Sequence, residues 1–222
     1  MDLDTCVKKR VSVKSYLDKD VPNDILGLIL EAGSLAPSAG NLQNWKFIIV
    51  KDPEKKNEIS IAAKNQNWMN QAPVFIVVCN DKDLITSMYG KRGELYSSQD
   101  CAIAAQNIML KTTDLGLSSC WIGSFDIEAI QRILKIPENV NPELILTIGY
   151  SAEEHQPADR EPLKGITFFE EWGKNVDEKT LFPLGQTAEQ FIKSISKEEF
   201  DKKGLIEKFK SMFKKKERPP EI

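Results

Sequence analysis

Residues 98–123 read SQDCAIAAQNIMLKTTDLGLSSCWIG, and the fold is decided here. Cys101, Ala102, Ala104, Ala105, Ile108, Met109 and Leu110 put small or apolar side chains on nearly every side of one helix. A helix apolar almost all round has no face to give to water, so the pattern predicts a buried central helix over 98–114. Gly116 ends it, and 119–123 (SCWIG) begins a strand or turn.

The surrounding segments supply what such a helix packs on. Upstream, 73–79 (PVFIVVC) is a continuous β-branched and apolar run, which reads as a central buried strand. Residues 46–51 (KFIIVK) read as a second strand, and Asp52-Pro53 opens a helix, since proline is tolerated in a first turn. Ile25, Leu28, Ile29, Ala32, Leu35 and Ala36 recur at helical spacing until Pro37 and Gly40 stop them. Leu3, Cys6 and Val7 share one face of a short first helix. Downstream, Asp126 caps a helix carrying Ile127, Ile130, Ile133 and Leu134, and 143–150 (ELILTIGY) is the last strand. Helices mixed with strands imply an α+β layering around a sheet. Beyond 165–173 (GITFFEEWG), Ala188, Phe191, Ile192 and Ile195 suit one amphipathic helix, and Leu205, Ile206, Phe209, Met212 and Phe213 another. The expected division is a main domain over 1–175 and a helical C-terminal extension over 176–222.

Composition narrows the function. A length of 222 residues, 41% of them hydrophobic, can bury one sizeable core. A net charge of −3 offers no basic field for nucleic acid. Cys6, Cys79, Cys101 and Cys120 form no C-x-x-C pair, so neither a zinc site nor a redox disulfide is expected. The opening MDLDTCVKKR carries no apolar signal stretch, and no run is long enough to span a bilayer; a cytoplasmic protein with reduced thiols is expected. The one histidine, His155, lies in a polar stretch without a sequence partner. No G-x-S-x-G, Walker loop or G-x-G-x-x-G occurs, so any enzyme chemistry must come from a bound cofactor.

Three segments could hold one. In 10–14 (RVSVK), Arg10, Ser12 and Lys14 alternate, and extended backbone projects alternate residues to one side. Two cations and a hydroxyl suit a phosphate, although a solvated basic strand carries the same pattern. In 36–45 (APSAGNLQNW), small residues and the amides of Asn41 and Gln43 let a flat ring approach the backbone; a tight helix-to-strand turn reads the same way. In 116–126 (GLSSCWIGSFD), a turn after the buried helix can aim N–H groups at a ligand or merely connect two elements.

Together and in this order, the segments resemble the FMN-dependent nitroreductase family. The N-terminal R-x-S-x-R/K-x-F/Y pattern appears as Arg10, Ser12, Lys14 and Tyr16. The A-P-S-x-x-N-x-Q-P-W loop appears as Ala36 to Trp45, after a helix with Val21 and Leu30. The central helix supplies Asp100, Ala104, Gln106, Asn107 and Leu110, followed by Gly116, Leu117, Trp121, Ile122 and Gly123. Gly149, Tyr150 and Arg160 complete the pattern, which covers about residues 3 to 172.

The resemblance implies a three-layer α+β fold, a mainly antiparallel sheet flanked by helices, in a homodimer with FMN at the interface. It implies that Arg10, Ser12 and Arg160 hold the FMN phosphate and that Lys14 lies near the pyrimidine edge of the ring. Pro37, Ser38, Asn41 and Gln43 line the ring and ribityl chain, and Asn65 touches the pyrimidine side. Ile122, Gly123 and Ser124 form the turn whose backbone N–H approaches the flavin N5. The implied activity is hydride transfer from NADH or NADPH to a small electron-poor acceptor, by ping-pong turnover without a catalytic side chain. Flavin-fragmenting and dehalogenating branches share the fold. The basic, half-apolar tail GLIEKFKSMFKKKER also admits a membrane-tethered flavin binder, although a helix with solvated lysines reads more simply. Three departures stand out: Asn44 replaces the usual proline, Trp68 stands near where some members carry a second lysine, and the region from Val176 onward has no counterpart in compact members.

Overall fold

Four antiparallel strands in the order β1-β2-β4-β3 form the one sheet of the computed structural model, which describes residues 1–177. They are β1 (Trp45–Val50), β2 (Val74–Asp81), β3 (Ser118–Ile122) and β4 (Val140–Gly149). The apolar run in β2 is buried along almost its whole length, as an inner strand covered on both faces must be. Its alternate side chains feed two cores. Val74, Ile76 and Val78 meet Leu144, Leu146 and Ile148 under α2 (Asn23–Ser34) and α5 (Arg92–Asp114). Phe75, Val77 and Cys79 meet Cys120, Ile122 and Ile145 on the side of α3 (Pro53–Ala62) and α6 (Ile127–Leu134). Each large side chain buried this way contributes about 1.5–3 kcal/mol before entropy is counted.

Local signals set the helix ends. Asp52 accepts the Lys55 N–H at 2.8 Å to cap α3, and Asp126 accepts the Ala129 N–H at 3.0 Å to cap α6. Asp2 does the same for α1 (Leu3–Lys9) through Thr5.

Three expectations need correction. The central helix begins at Arg92 rather than residue 98, and Ile103 is 40% exposed, so it is not covered on every side. A further helix, α4 (Lys82–Tyr89), precedes it and packs against α5, with Ile85 buried. On α2 the buried stripe is Leu26, Ile29 and Gly33, while Leu28 faces outward and Leu35 beyond its end is 76% exposed. Both stripes have helical spacing, and only packing against α5 chooses between them.

The chain divides into two compact units between Ala158 and Asp159. The second holds α7 (Leu163–Ile166), a bridge between Phe168 and Asn175, and Phe168 and Trp172 rings 4.6 Å apart and tilted by 45°. Trp172 is 91% exposed. The two amphipathic helices expected after residue 180 and the basic tail lie outside the described residues. Among the described residues no helix is long and apolar enough to cross a membrane.

Candidate functional site

Helix α1 stops where Arg10 turns to extended geometry, and the chain then runs beside the sheet edge. Ser12 bridges Ser119 of β3 in parallel, and the Val13 N–H donates to the Ser119 carbonyl at 3.1 Å. Val13 is buried while Ser12 and Lys14 stay exposed, the alternation that extended backbone imposes, and Tyr16 breaks that alternation by turning inward. Tyr16 pins the segment from below: its Oη donates to the Val13 carbonyl at 2.8 Å and lies 2.7 Å from Thr147 Oγ1.

Cys120 follows Ser119 in β3 and is buried. Burial pushes its thiol up, while the Lys14 charge, a hydrogen bond with Ser12 and the Arg10 charge oppose that rise. Lys14 Nζ stands 5.4 Å from the centre of the Trp68 ring, within cation–π range. Neither Arg10 nor Lys14 pairs with a carboxylate among the described residues. Ser119 Oγ, in the bridge beside Ser12, is buried without a hydrogen-bond partner.

Strand β3 leads from this cluster to the second predicted segment. Ile122 is buried, so only its main chain can face a ligand. Gly123 and Ser124 are exposed just past the strand end, about 13 Å along it from Ser119. A Cβ on Gly123 would come no nearer to anything than 3.4 Å, to Trp121 Nε1, so the main chain there is approachable.

The third segment, 36–44, leaves α2 and makes a 3-10 turn, Ala39–Asn41. Gly40, Asn41 and Gln43 have φ of 57°, 56° and 50°. Left-handed backbone costs a residue with a Cβ about 1 kcal/mol, less for Asn. At Gly40 a Cβ would also sit 2.6 Å from Tyr89 Oη. The Gln43 N–H donates to Ser38 Oγ at 3.0 Å, and Gln43 Nε2 donates to the Asn41 carbonyl and Oδ1, both at 3.2 Å. Pro37, Asn41 and Gln43 are exposed. The loop is tied to α5 at both ends: the Ala39 N–H donates to Asp100 Oδ1 at 3.0 Å, and buried Asn44 donates through Nδ2 to Ser97 Oγ. Burial pushes the Asp100 carboxyl up, and the Ala39 hydrogen bond partly offsets it.

The segments 10–14 and 36–44 of the chain lie at opposite corners of the sheet. The loop enters β1 where Trp45 pairs Asn80, and Asn80 pairs Asn141. Ser12 lies beside Ser119, which pairs Ile148, which pairs Val74. Six residues of β2 separate these levels, about 20 Å, and three strand spacings separate β1 from β3, about 14 Å. The loop also sits on the α5 side, whereas Cys120 faces the side of α3 and α6.

Two further predicted residues lie elsewhere. Asn65, in a left-handed turn, lines a concavity of about 490 Å³ between α3 and α6 with Ile61, Lys64, Ala129 and Arg132. Arg160 belongs to the second unit, where its guanidinium donates to the Asp159 carbonyl at 3.0 Å. No group of three or more His, Cys, Asp or Glu among the described residues could hold a metal. Sequence reasoning named Asp100 and Trp68 but missed the bonds from Asp100 and Ser97 to the loop and the contact between Lys14 and Trp68. A buried polar residue on an otherwise apolar helix was the available signal for Ser97 and Asp100.

The profile of the Nitroreductase family matches residues 7–67 and 57–150. A protein of Methanothermobacter thermautotrophicus is 35% identical over 157 residues, 69% of this chain and 79% of its own length. A Bacillus subtilis protein named FMN reductase (NAD(P)H) is 32% identical over 185 residues, 76% of this chain and 73% of the relative. The solved structure of an FMN-dependent nitroreductase from Clostridium difficile superposes with a TM-score of 0.67 at 31% identity, over 75% of this chain and 98% of that one.

Proposed function

The chain belongs to the nitroreductase family, and from that premise we propose that it passes hydride from NAD(P)H to a small electron-poor acceptor such as a nitroaromatic or quinone, in ping-pong turnover on FMN. It is an NAD(P)H oxidoreductase with FMN as its cofactor. The observation that carries the site reading is the placing of Arg10, Ser12 and Lys14 on one extended segment bridged to Ser119, with neither cation paired to a carboxylate among the described residues. That set fits a phosphorylated flavin. A phosphate takes charge-assisted bonds from a guanidinium and a hydroxyl, and the orphaned Ser119 Oγ beside Ser12 has hydrogen-bonding capacity to spare.

In this reading Arg10 and Ser12, joined by Arg160, bind the phosphate. Lys14, steadied against Trp68, places its ammonium where negative charge develops on the pyrimidine edge and lowers the cost of that charge. The main chain of Gly123 and Ser124 offers an N–H toward the reacting edge, and Ile122 anchors that turn in the core. Bound FMN supplies the two-electron chemistry, accepting hydride from the nicotinamide and releasing it to the acceptor that replaces it. Pro37, Ser38, Asn41 and Gln43 line the ring from another chain, because their own protomer holds them at the far corner of the sheet. Asn65 takes a place on the pyrimidine side.

A homodimer supplies that second chain. Leu3 and Val7 of α1, Leu28 of α2, Leu35 just beyond α2, and Ile103 of α5 are exposed, and α1, α2 and α5 share an apolar concavity of about 390 Å³. This face lies between Arg10, at the end of α1, and the loop that follows α2. Packing two copies on it covers the apolar surface and brings one chain's loop toward the other's Arg10. The division into a flavin domain over 1–175 and an appendage over 176–222 belongs to the same proposal.

Purified protein should carry flavin absorbance that NADH or NADPH bleaches without air. A colourless protein that takes up no added FMN defeats the proposal. Arg10→Ala with Arg160→Ala should strip FMN and leave the fold intact; undiminished flavin refutes the phosphate assignment. Mixing Arg10→Ala chains with Asn41→Ala/Gln43→Ala chains should restore some FMN sites in mixed dimers, and no restoration refutes sharing between chains. Profiling nitroaromatics, quinones and halogenated aromatics separates the reading from a dehalogenating branch.

A further inference from the structure

We propose that Asp100 and Ser97 of α5 are positioning residues that clamp loop 36–44 at both ends and hold it in its ligand-facing shape. The proposal rests on the preceding reading for what the loop touches, but not for the clamp itself. Ser97 and Asp100 are one turn apart, so they present side chains to the same side of α5. Asp100 takes the Ala39 N–H at the start of the loop, and Ser97 takes the Asn44 amide at its end. Asn44, Ser97 and Asp100 are all buried, so water does not compete for these bonds.

The loop needs such holding. Between the anchors, Gly40, Asn41 and Gln43 all have positive φ, and backbone of that kind persists only where its surroundings over-determine it. The internal bonds, Asn41 N–H to the Ser38 carbonyl at 3.0 Å and Leu42 N–H to the Ala39 carbonyl at 3.1 Å, depend on where Ser38 and Ala39 are held. The anchors are in turn referred to the sheet. Glu143 of β4 accepts from Ser98 Oγ at 2.8 Å and from Asn80 Nδ2 of β2 at 2.5 Å, which fixes this part of α5 over the strands. Asp100 Oδ2 and Asn44 Oδ1 are buried without partners, a desolvation cost that an apolar pair would avoid. The polar pairs are retained at that cost, and what they supply is the direction of the loop. Its outer residues, Pro37, Asn41 and Gln43, are left exposed on a fixed base.

Amide hydrogen exchange on the full chain without added FMN tests the clamp, and FMN titration tests what it serves. In Asp100→Ala, the amides of Asn41, Leu42 and Gln43 should exchange about ten-fold faster, while those of β2 keep their wild-type rates. Asp100→Asn retains an acceptor for Ala39 and should restore exchange to within about three-fold. Ala39→Pro deletes the donor from the other side and should reproduce Asp100→Ala even where that variant folds poorly. FMN affinity should fall about ten-fold in step with loop exchange. Unchanged loop exchange in both Asp100→Ala and Ala39→Pro overturns the clamp. Faster exchange with unchanged FMN affinity upholds the clamp and removes the loop from the flavin site.

Discussion

Changing Tyr16 to Phe deletes one oxygen and tests how the segment carrying Arg10, Ser12 and Lys14 is held. That oxygen donates to the Val13 carbonyl at 2.8 Å and pairs with Thr147 Oγ1 at 2.7 Å, in a place where Val13 and Thr147 are fully buried. Two net hydrogen bonds are worth about 1 kcal/mol each, and the groups stranded out of water's reach add to that; the expected loss is about 2–3 kcal/mol. The ring itself stays, so packing against Gly149 is preserved and the loss is polar. With a urea slope of about 2 kcal/mol/M, the unfolding midpoint should fall by about 1 M. Tryptophan fluorescence during urea unfolding measures it. A second substitution, Thr147→Val, closes a double-mutant cycle whose coupling should be about 1 kcal/mol, since the double variant strands one hydroxyl fewer. FMN affinity should fall too, because Val13 sets the direction of Ser12 and Lys14. Destabilisation under about 0.5 kcal/mol with no coupling would show that side-chain packing alone holds the segment and would refute this reasoning.

Three further outcomes are expected. Hydrogen bonds from Lys111 and the amino terminus hold the Asp114 carboxyl down at about 2, and the Asp114 hydrogen bond raises the Met1 amine. The depressed acid stabilises above its unfolded pKa and loses that as pH falls through about 2, and the raised amine stabilises at neutral pH and loses that in alkali. The midpoint difference between wild type and Asp114→Asn should therefore be greatest near neutrality and close at about pH 2; a constant difference contradicts the linkage. All four cysteines are free and buried, and burial pushes Cys79 up to about 12 and raises Cys101 and Cys120. A thiol reagent at neutral pH should find none of them quickly in the native chain and all four after denaturation, and rapid native labelling of Cys79 would count against this packing. Gly149→Ala sets a Cβ 2.6 Å from Pro73 Cδ and 2.9 Å from Tyr16 Cδ1, and it should cost about 1–3 kcal/mol by thermal or urea unfolding, whereas a neutral effect would mean the Pro73 ring can retreat.

Much of the fold was legible because its signals are local. The β-branched run of β2, the crowded apolar helix around Ile108 and the capping aspartates Asp52 and Asp126 each carry their reason within a few residues. The projection of Arg10, Ser12 and Lys14 to one side was equally local, because extended backbone alternates wherever it occurs. Helix α4 was not read from the sequence, since its apolar residues Leu84, Ile85, Met88 and Tyr89 span only two turns and the helix is completed by packing on α5. Nor was the choice of stripe on α2, where Leu26 and Leu28 offer helical spacing alike and only the neighbouring helix decides.

The candidate site divides along the same line. Sequence by itself determined which residue types were present to meet a phosphate and a flat ring, because charge and hydrogen-bonding capacity belong to a side chain wherever it lies. Tertiary structure decided which of them meet. Ala39 and Asp100 are 61 residues apart, and Asn44 and Ser97 are 53 apart, so their bonds exist only once α5 crosses the sheet. Strand order decided the largest point, placing loop 36–44 at one corner and Arg10 with Ser12 at the other. Hydrogen-bonded strands are held at fixed spacing, so no local adjustment closes that distance, and the proposed flavin site takes its loop from a second chain for that reason.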